Sequence, residues 1–222
     1  LRSSAEQQQN YLPGVPEGSD LCITPVSAPE NHYVRIKADN RLDADGTLRG
    51  TFTLTAEGQS DSNIRRIFTT GFRSEWKNTM ESQLLAISPK AKLLSVDYGK
   101  NPKDYQAAPI KITFRYEIPD YALKGEKEMF FRPLVMNNLY NQVRSYLRID
   151  TSLKERKYGF KDGCSRLVEL DETIQLPAGY KLANADKNET MQGTGADFEG
   201  SLAQQGNKVL LHNKLALKKR VY

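Results

Sequence analysis

Apolar and polar residues alternate with a period of two over much of the chain, and that period marks strands with one buried face. Val34, Ile36, Ala38 and Leu42 share one parity, while Tyr33, Arg35, Lys37, Asp39 and Arg41 take the other. After a short gap, Leu48, Phe52 and Leu54 alternate with Thr47, Arg49, Thr51, Thr53 and Thr55. The gap reads Asp-Ala-Asp-Gly, which supplies the side-chain turn bonds and the positive φ that a tight hairpin needs. Two carboxylates and a glycine also suggest a calcium loop. An EF-hand with Gly46 at its sixth position would place Arg41 at the first ligand position and Phe52 at the twelfth, where oxygen ligands are required. The sequence therefore predicts a hairpin and no metal site.

The period then changes. Ile64, Ile67 and Phe68 fall at helical spacing, and Trp76, Met80, Leu84 and Ile87 continue on a second stripe. Ser60 or Asp61 is expected to cap the first helix, Gly71 to break it and Pro89 to stop the second. An aromatic on such a stripe is core material, so Trp76 is expected to face a sheet.

Strand signals resume in KLLSVDYG, in PIKITFRYEIP, where Ile110, Ile112, Phe114, Tyr116 and Ile118 alternate with polar residues, and in EMFFRPLVM, an edge or bulged strand because of Pro133. SRLVELDETIQLP alternates through Val168, Leu170, Ile174 and Leu176, and a Pro-Ala-Gly corner leads into YKLA. A second hairpin is expected around Gly206-Asn207. The segment from Asn137 to Gly163 fits a helix or a strand. The fold class is α+β, mainly antiparallel β, with sandwich-like sheets and a local two-helix segment at about 60–88. Residues 1–31 are Pro- and Gly-rich and read as a connector. Residues 32–222 read as one β-rich domain that the sequence allows to divide into two sub-units near residue 125.

Composition narrows the function classes. Thirty-two basic and 27 acidic residues give a net charge of +5, scattered rather than gathered. The densest basic tract is Lys218-Lys219-Arg220, and Arg65-Arg66 is a shorter one. With no nucleic-acid motif present, no nucleic-acid partner is expected. No apolar run is long enough for a membrane span. Both ends read as cut from a longer chain. Cys22 and Cys164 leave a long-range disulfide and two free thiols both open.

No enzyme signature emerges. His32 and His212 are the only histidines. A hydrolase pairing Cys164 with His212 lacks an acidic residue after the histidine, and Cys22 with His32 lacks a following helix. The single cysteines and histidines lack zinc-ligand spacing. MQGTGADFEG lacks a P-loop lysine and reads as a surface loop, and Asp171-Glu172 reads as a solvated pair. No catalytic residue, no metal and no cofactor are expected. Tyr140, Tyr146 and Tyr158 are weak candidates for a binding platform, in competition with ordinary half-buried packing.

The order of LDADGTLRGTFTLTAEGQSDSNIRR, a Trp-bearing helix, IKITFRYEIPDY, IQLPAGYKL and LALKKRVY resembles the C-terminal region of bacterial exported transglutaminase-like proteins that carry flanking domains of unknown function. The opening LRSSAEQQQNYLPGVPEGSDL resembles the connector leaving their catalytic core. That resemblance implies a Cys-His-Asp core upstream of Leu1, with no matching residue in this chain, and an extracytoplasmic location. It implies a non-catalytic accessory domain that packs on the upstream catalytic-type domain of the same polypeptide and holds a protein or peptide partner. The alternative is an extracytoplasmic glycan-binding β module.

Overall fold

A computed structural model of the chain describes residues 7–106, 109–137, 154–155, 157–159, 161–184 and 186–222. Its strands are β1 (Asn10–Tyr11), β2 (Cys22–Ile23), β3 (Val34–Leu42), β4 (Leu48–Ala56), β5 (Lys92–Asp97), β6 (Ile110–Ile118), β7 (Leu123–Lys124), β8 (Met129–Phe130), β9 (Arg166–Gln175), β10 (Lys187–Gln192), β11 (Ala196–Gln205) and β12 (Lys208–Leu217). Helices α1 (Gly58–Thr70) and α2 (Trp76–Leu85) lie between β4 and β5. Expected as sandwich-like sheets, the long strands instead share one eight-stranded sheet in the order β10-β11-β12-β9-β3-β4-β6-β5. Every neighbouring pair is antiparallel except β3 with β9, which run parallel. β1–β2 and β7–β8 form separate two-stranded ribbons. The fold is α+β and mainly antiparallel, as the periodicity predicts.

The first hairpin forms where the alternation places it. Asp43 N–H donates to Thr47 O at 2.9 Å, and Gly46 N–H to Asp43 O at 3.0 Å. Asp45 Oδ1 accepts the N–H of Thr47 at 2.9 Å. Gly46 has φ of +88°, and a Cβ there would approach Ala122 O to 2.9 Å, so the corner requires glycine. The Asp43 carboxylate is occupied by Arg41, at 2.8 Å, and by Arg49. Millimolar calcium is therefore expected to leave the melting temperature unchanged, because a ligand held only by the folded state must raise it. A rise that disappears in Asp43→Ala would instead mark a metal site.

One face of the sheet carries the core. Val34, Ile36, Phe52, Leu54, Ile112 and Phe114 are fully buried there, and the Phe52 and Phe114 rings stack at 4.2 Å. The helices cover the β4–β6–β5 part of this face with Ile64, Phe68, Trp76, Met80 and Leu84, all buried. The N-terminus of α1 differs from expectation: neither Ser60 nor Asp61 caps it. His32 Nδ1 accepts the N–H of Gln59 at 3.1 Å, and the Ser60 hydroxyl donates to His32 O at 2.9 Å. Asp61 instead accepts Ile110 N–H and Arg65 Nε, each at 2.7 Å. Tertiary partners have taken over both side chains that local propensity assigns to the cap.

Other expectations shift for equally local reasons. The strand expected in EMFFRPLVM shrinks to β8, because Pro133 opens a 3-10 turn at Leu134–Met136. YKLA forms no strand. Part of MQGTGADFEG lies in β10 and β11; β10, KNETMQ, is exposed at every position and so has no alternation to read. Most of the segment from Asn137 to Gly163 lies outside the described residues. The two cysteines are free, Cys22 half-buried and Cys164 buried. Arg65 and Arg220 are buried too, so two of the apparent basic tracts are internal anchors in part. Arg65 donates to the carbonyls of Pro102 and Asp104, at 3.0 and 2.8 Å, and Arg220 to that of Asp162 at 3.0 Å.

Candidate binding groove

The apolar face of the sheet continues past the helices toward β9, β12 and β11, where irregular segments cover it. One is the β7–β8 ribbon, closed by Gly125 N–H donating to Glu128 O at 2.8 Å, and the chain that follows it to Pro133. The other is the corner after β9, where Leu176 N–H donates to Asn207 O at 2.7 Å and Tyr180 N–H to Pro177 O at 3.2 Å. Gly179 supplies the positive φ of that corner, +87°. Leu182 N–H donates to Gln204 Oε1 at 2.6 Å, tying the wall to β11. Between the walls lies a groove of about 790 Å³, floored by Leu42, Leu202 and Val209 and flanked by Met129, Phe131 and Tyr180. Its volume falls within the range of ligand pockets. Among the described residues its charged lining is Lys127, Glu128 and Lys181, with no cysteine or histidine. Its chemistry is apolar recognition with polar groups at the rim.

Beside the groove, a buried polar cluster fixes the turn at Leu134–Met136 to the sheet. Glu172 is 2% exposed, although it reads in sequence as one of a solvated pair. Its carboxylate accepts Asn40 Nδ2 at 2.7 Å and Val135 N–H at 3.0 Å. The Tyr116 hydroxyl donates to Asn40 Oδ1. Gly50 leaves room for this crossing, since a Cβ there would collide with Asn40 Oδ1. Burial pushes the Glu172 carboxyl above its ordinary pKa, against the opposing pull of its hydrogen bonds. Burial likewise raises the phenols of Tyr116 and Tyr121. Tyr121 accepts Asn137 Nδ2 at 2.9 Å and donates to Arg132 O, which braces the chain after the ribbon.

The remaining sequence candidates fall elsewhere. Tyr140 and Tyr146 lie outside the described residues. Tyr158 is 75% exposed, has Lys157 Nζ 5.6 Å from its ring centroid and does not line the groove. Cys164 precedes β9 and is buried beside Arg166, whose Nη2 lies 3.4 Å from the sulfur; burial raises the thiol pKa. His212 stands opposite Asp171 and bonds it at 2.7 Å, whereas Arg166, two residues from Cys164, pairs with Leu217. Five strand positions, about 17 Å at ~3.3 Å each, separate those two pairs, so Cys164 and His212 cannot act together. Among the described residues, no group of three or more Cys, His, Asp and Glu side chains is placed to hold a metal.

Residues 127–222 match the model of a domain of unknown function with solved structure, DUF3858. The span is just under half of the chain and contains every residue lining the groove except Leu42. No curated protein and no solved structure matches the chain. No helix among the described residues is long and apolar enough to cross a membrane.

Proposed function

We propose that this chain is a non-catalytic accessory and interaction region of an exported transglutaminase-like protein. Residues 1–31 connect it to an upstream catalytic-type domain, and residues 32–222 form the accessory domain that packs on that domain. One observation carries the reading: Tyr11, Leu12, Val15, Leu21 and Ile23, all on the connector, are 40–67% exposed. Both ends of this segment are anchored, through Arg220 to Gln7 O and through the Ser165 hydroxyl to Ser27 O. The β1–β2 ribbon between them thus presents apolar side chains from a fixed base. Clustered apolar exposure of this kind marks contact surfaces, and a fixed base lowers the ordering entropy of docking. The apolar groove suits a peptide or protein partner held by its side chains.

The test is binding of the intact chain to the separately expressed upstream domain of its parent. The triple variant Leu12→Ser, Leu21→Ser, Ile23→Ser is expected to weaken it by at least about tenfold, as loss of several buried apolar contacts requires. Unchanged affinity would remove the docking role. The chain alone is expected to show no amidase, protease or crosslinking activity on peptide substrates; activity lost in Cys164→Ser would overturn the non-catalytic reading. A glycan array separates this proposal from a carbohydrate module.

A further inference from the structure

On the sheet face opposite the core, the strand register lines up charge in rows. Across the sheet, Lys208 pairs with Gln175, Gln175 with Arg41, Arg41 with Arg49, Arg49 with Glu117 and Glu117 with Lys92. That row holds four cations and one carboxylate. Arg41 and Arg49 stand directly opposite each other, an arrangement that destabilises a sheet when nothing answers it. Asp43 answers part of it by pairing with both arginines, and Glu117 is already engaged by Arg49 and Lys92. In the next row, Thr173, Asp39, Thr51 and Arg115 are successive partners. Arg115 and Lys208 have no carboxylate within 4.0 Å among the described residues.

These two rows frame a concavity of about 600 Å³ whose charged lining is Arg41, Arg49, Arg115, Lys208 and the single carboxylate Asp39. Thr51, Thr173 and Gln175 add neutral hydrogen-bonding groups between the cations. We infer that this concavity is a binding site for a small multivalent oxyanion, a ligand carrying at least two phosphate or carboxylate groups. Guanidinium groups pair with such oxygens in a planar, two-bond fashion, and three of the four cations are arginines. A ligand with one charge could not engage both the Arg41–Arg49 pair and the unpaired Arg115 and Lys208. Tyr116, the only aromatic among the described lining residues, is buried, so these residues offer no ring for stacking a base or a sugar. Among the described residues, charge and hydrogen bonding are therefore what select the ligand.

The test is calorimetric titration of the intact chain with pyrophosphate, citrate and acetate at fixed ionic strength. Pyrophosphate or citrate is expected to bind with one-to-one stoichiometry, and acetate not to bind. Tighter pyrophosphate assigns a phosphorylated ligand, and tighter citrate a polycarboxylate. Arg115→Gln and Lys208→Gln should each weaken binding about tenfold or more, as loss of a charged hydrogen bond does. Lys111→Gln removes an equal charge from the same sheet face outside the concavity and should change nothing; Lys111 is exposed, as are Arg115 and Lys208, so unaltered thermal melts are expected for all three variants. Equal weakening by Lys111→Gln would reduce the effect to diffuse attraction by a basic surface and overturn the site. Failure of both polyanions to bind in the millimolar range would overturn it as well.

Discussion

Replacing Trp76 with alanine is expected to lower stability by about 3–5 kcal/mol, the range for emptying a large aromatic site in a packed core. Trp76 is 6% exposed and opens α2 against the sheet. Its ring meets Phe68 edge-on at 5.1 Å and Tyr98 at 5.5 Å, joining α1, α2 and the end of β5 in one aromatic cluster. In neither helix does the N-cap residue's own side chain make a cap bond, so both depend on tertiary partners and this burial more than on local capping. The indole Nε1 is buried without a hydrogen-bond partner among the described residues. Trp76→Phe should therefore be milder than alanine, because it keeps an edge contact and removes an unsatisfied donor. Urea unfolding of the two variants decides the matter. A loss below about 1 kcal/mol for alanine with unchanged circular dichroism would mean the stripe is not packed core.

Glu172→Ala is expected to destabilise by about 2–4 kcal/mol, because Asn40 Nδ2 and Val135 N–H would lose a buried acceptor. The pH dependence has a definite sign. Burial raises the Glu172 pKa in the folded chain above the unfolded value. Between those two values the folded state binds the proton more tightly, so this residue's contribution to stability declines as pH rises through the window. It is most favourable at and below the unfolded carboxylate pKa, and the full penalty of burying the charge is present above the folded pKa. Glu172→Gln removes that titration while keeping one acceptor, so its stability should lack this slope as pH rises from the unfolded carboxylate pKa through the folded one. Identical slopes in the two proteins would show that Glu172 titrates as it does in the unfolded chain.

The same cluster shows what could be read from sequence and what could not. Alternation placed β3, β4, β6 and β9, because each buries one apolar face, and the Gly206-Asn207 turn placed the β11–β12 hairpin. Helical spacing placed Trp76, Met80 and Leu84 in the core. The polar cluster was present only as gaps in those stripes: Asn40 within Val34–Leu42, Gly50 between Leu48 and Phe52, and Glu172 between Leu170 and Ile174. Read strand by strand, each gap looks like an isolated imperfection, and Glu172 looks like one half of a solvated pair. Only the register that sets Asn40 against Gly50, and β3 beside β9, makes them one group. The groove was hidden for a similar reason. Its walls are irregular segments without a period, and its floor combines Leu42 with Leu202 and Val209, which are far apart in sequence. β10 has no buried face, so it offered no pattern at all.

The parallel seam between β3 and β9 also constrains how the protein is made. β3 and β4 form a hairpin from neighbouring residues, yet the other edge of β3 stays bare until Arg166–Gln175 has been synthesised. At about 5–20 residues per second, a ribosome would need on the order of ten seconds to produce the intervening stretch. During that interval Val34, Ile36 and Ala38 lack their β9 neighbours, while the β11–β12 half cannot join the sheet except through β9. The chain should accordingly fold slowly, with closure of this seam as its late step, as expected when a central contact joins distant residues. A cut in the loop after β7 should yield two pieces that are each insoluble alone and that recover the native sheet when synthesised together.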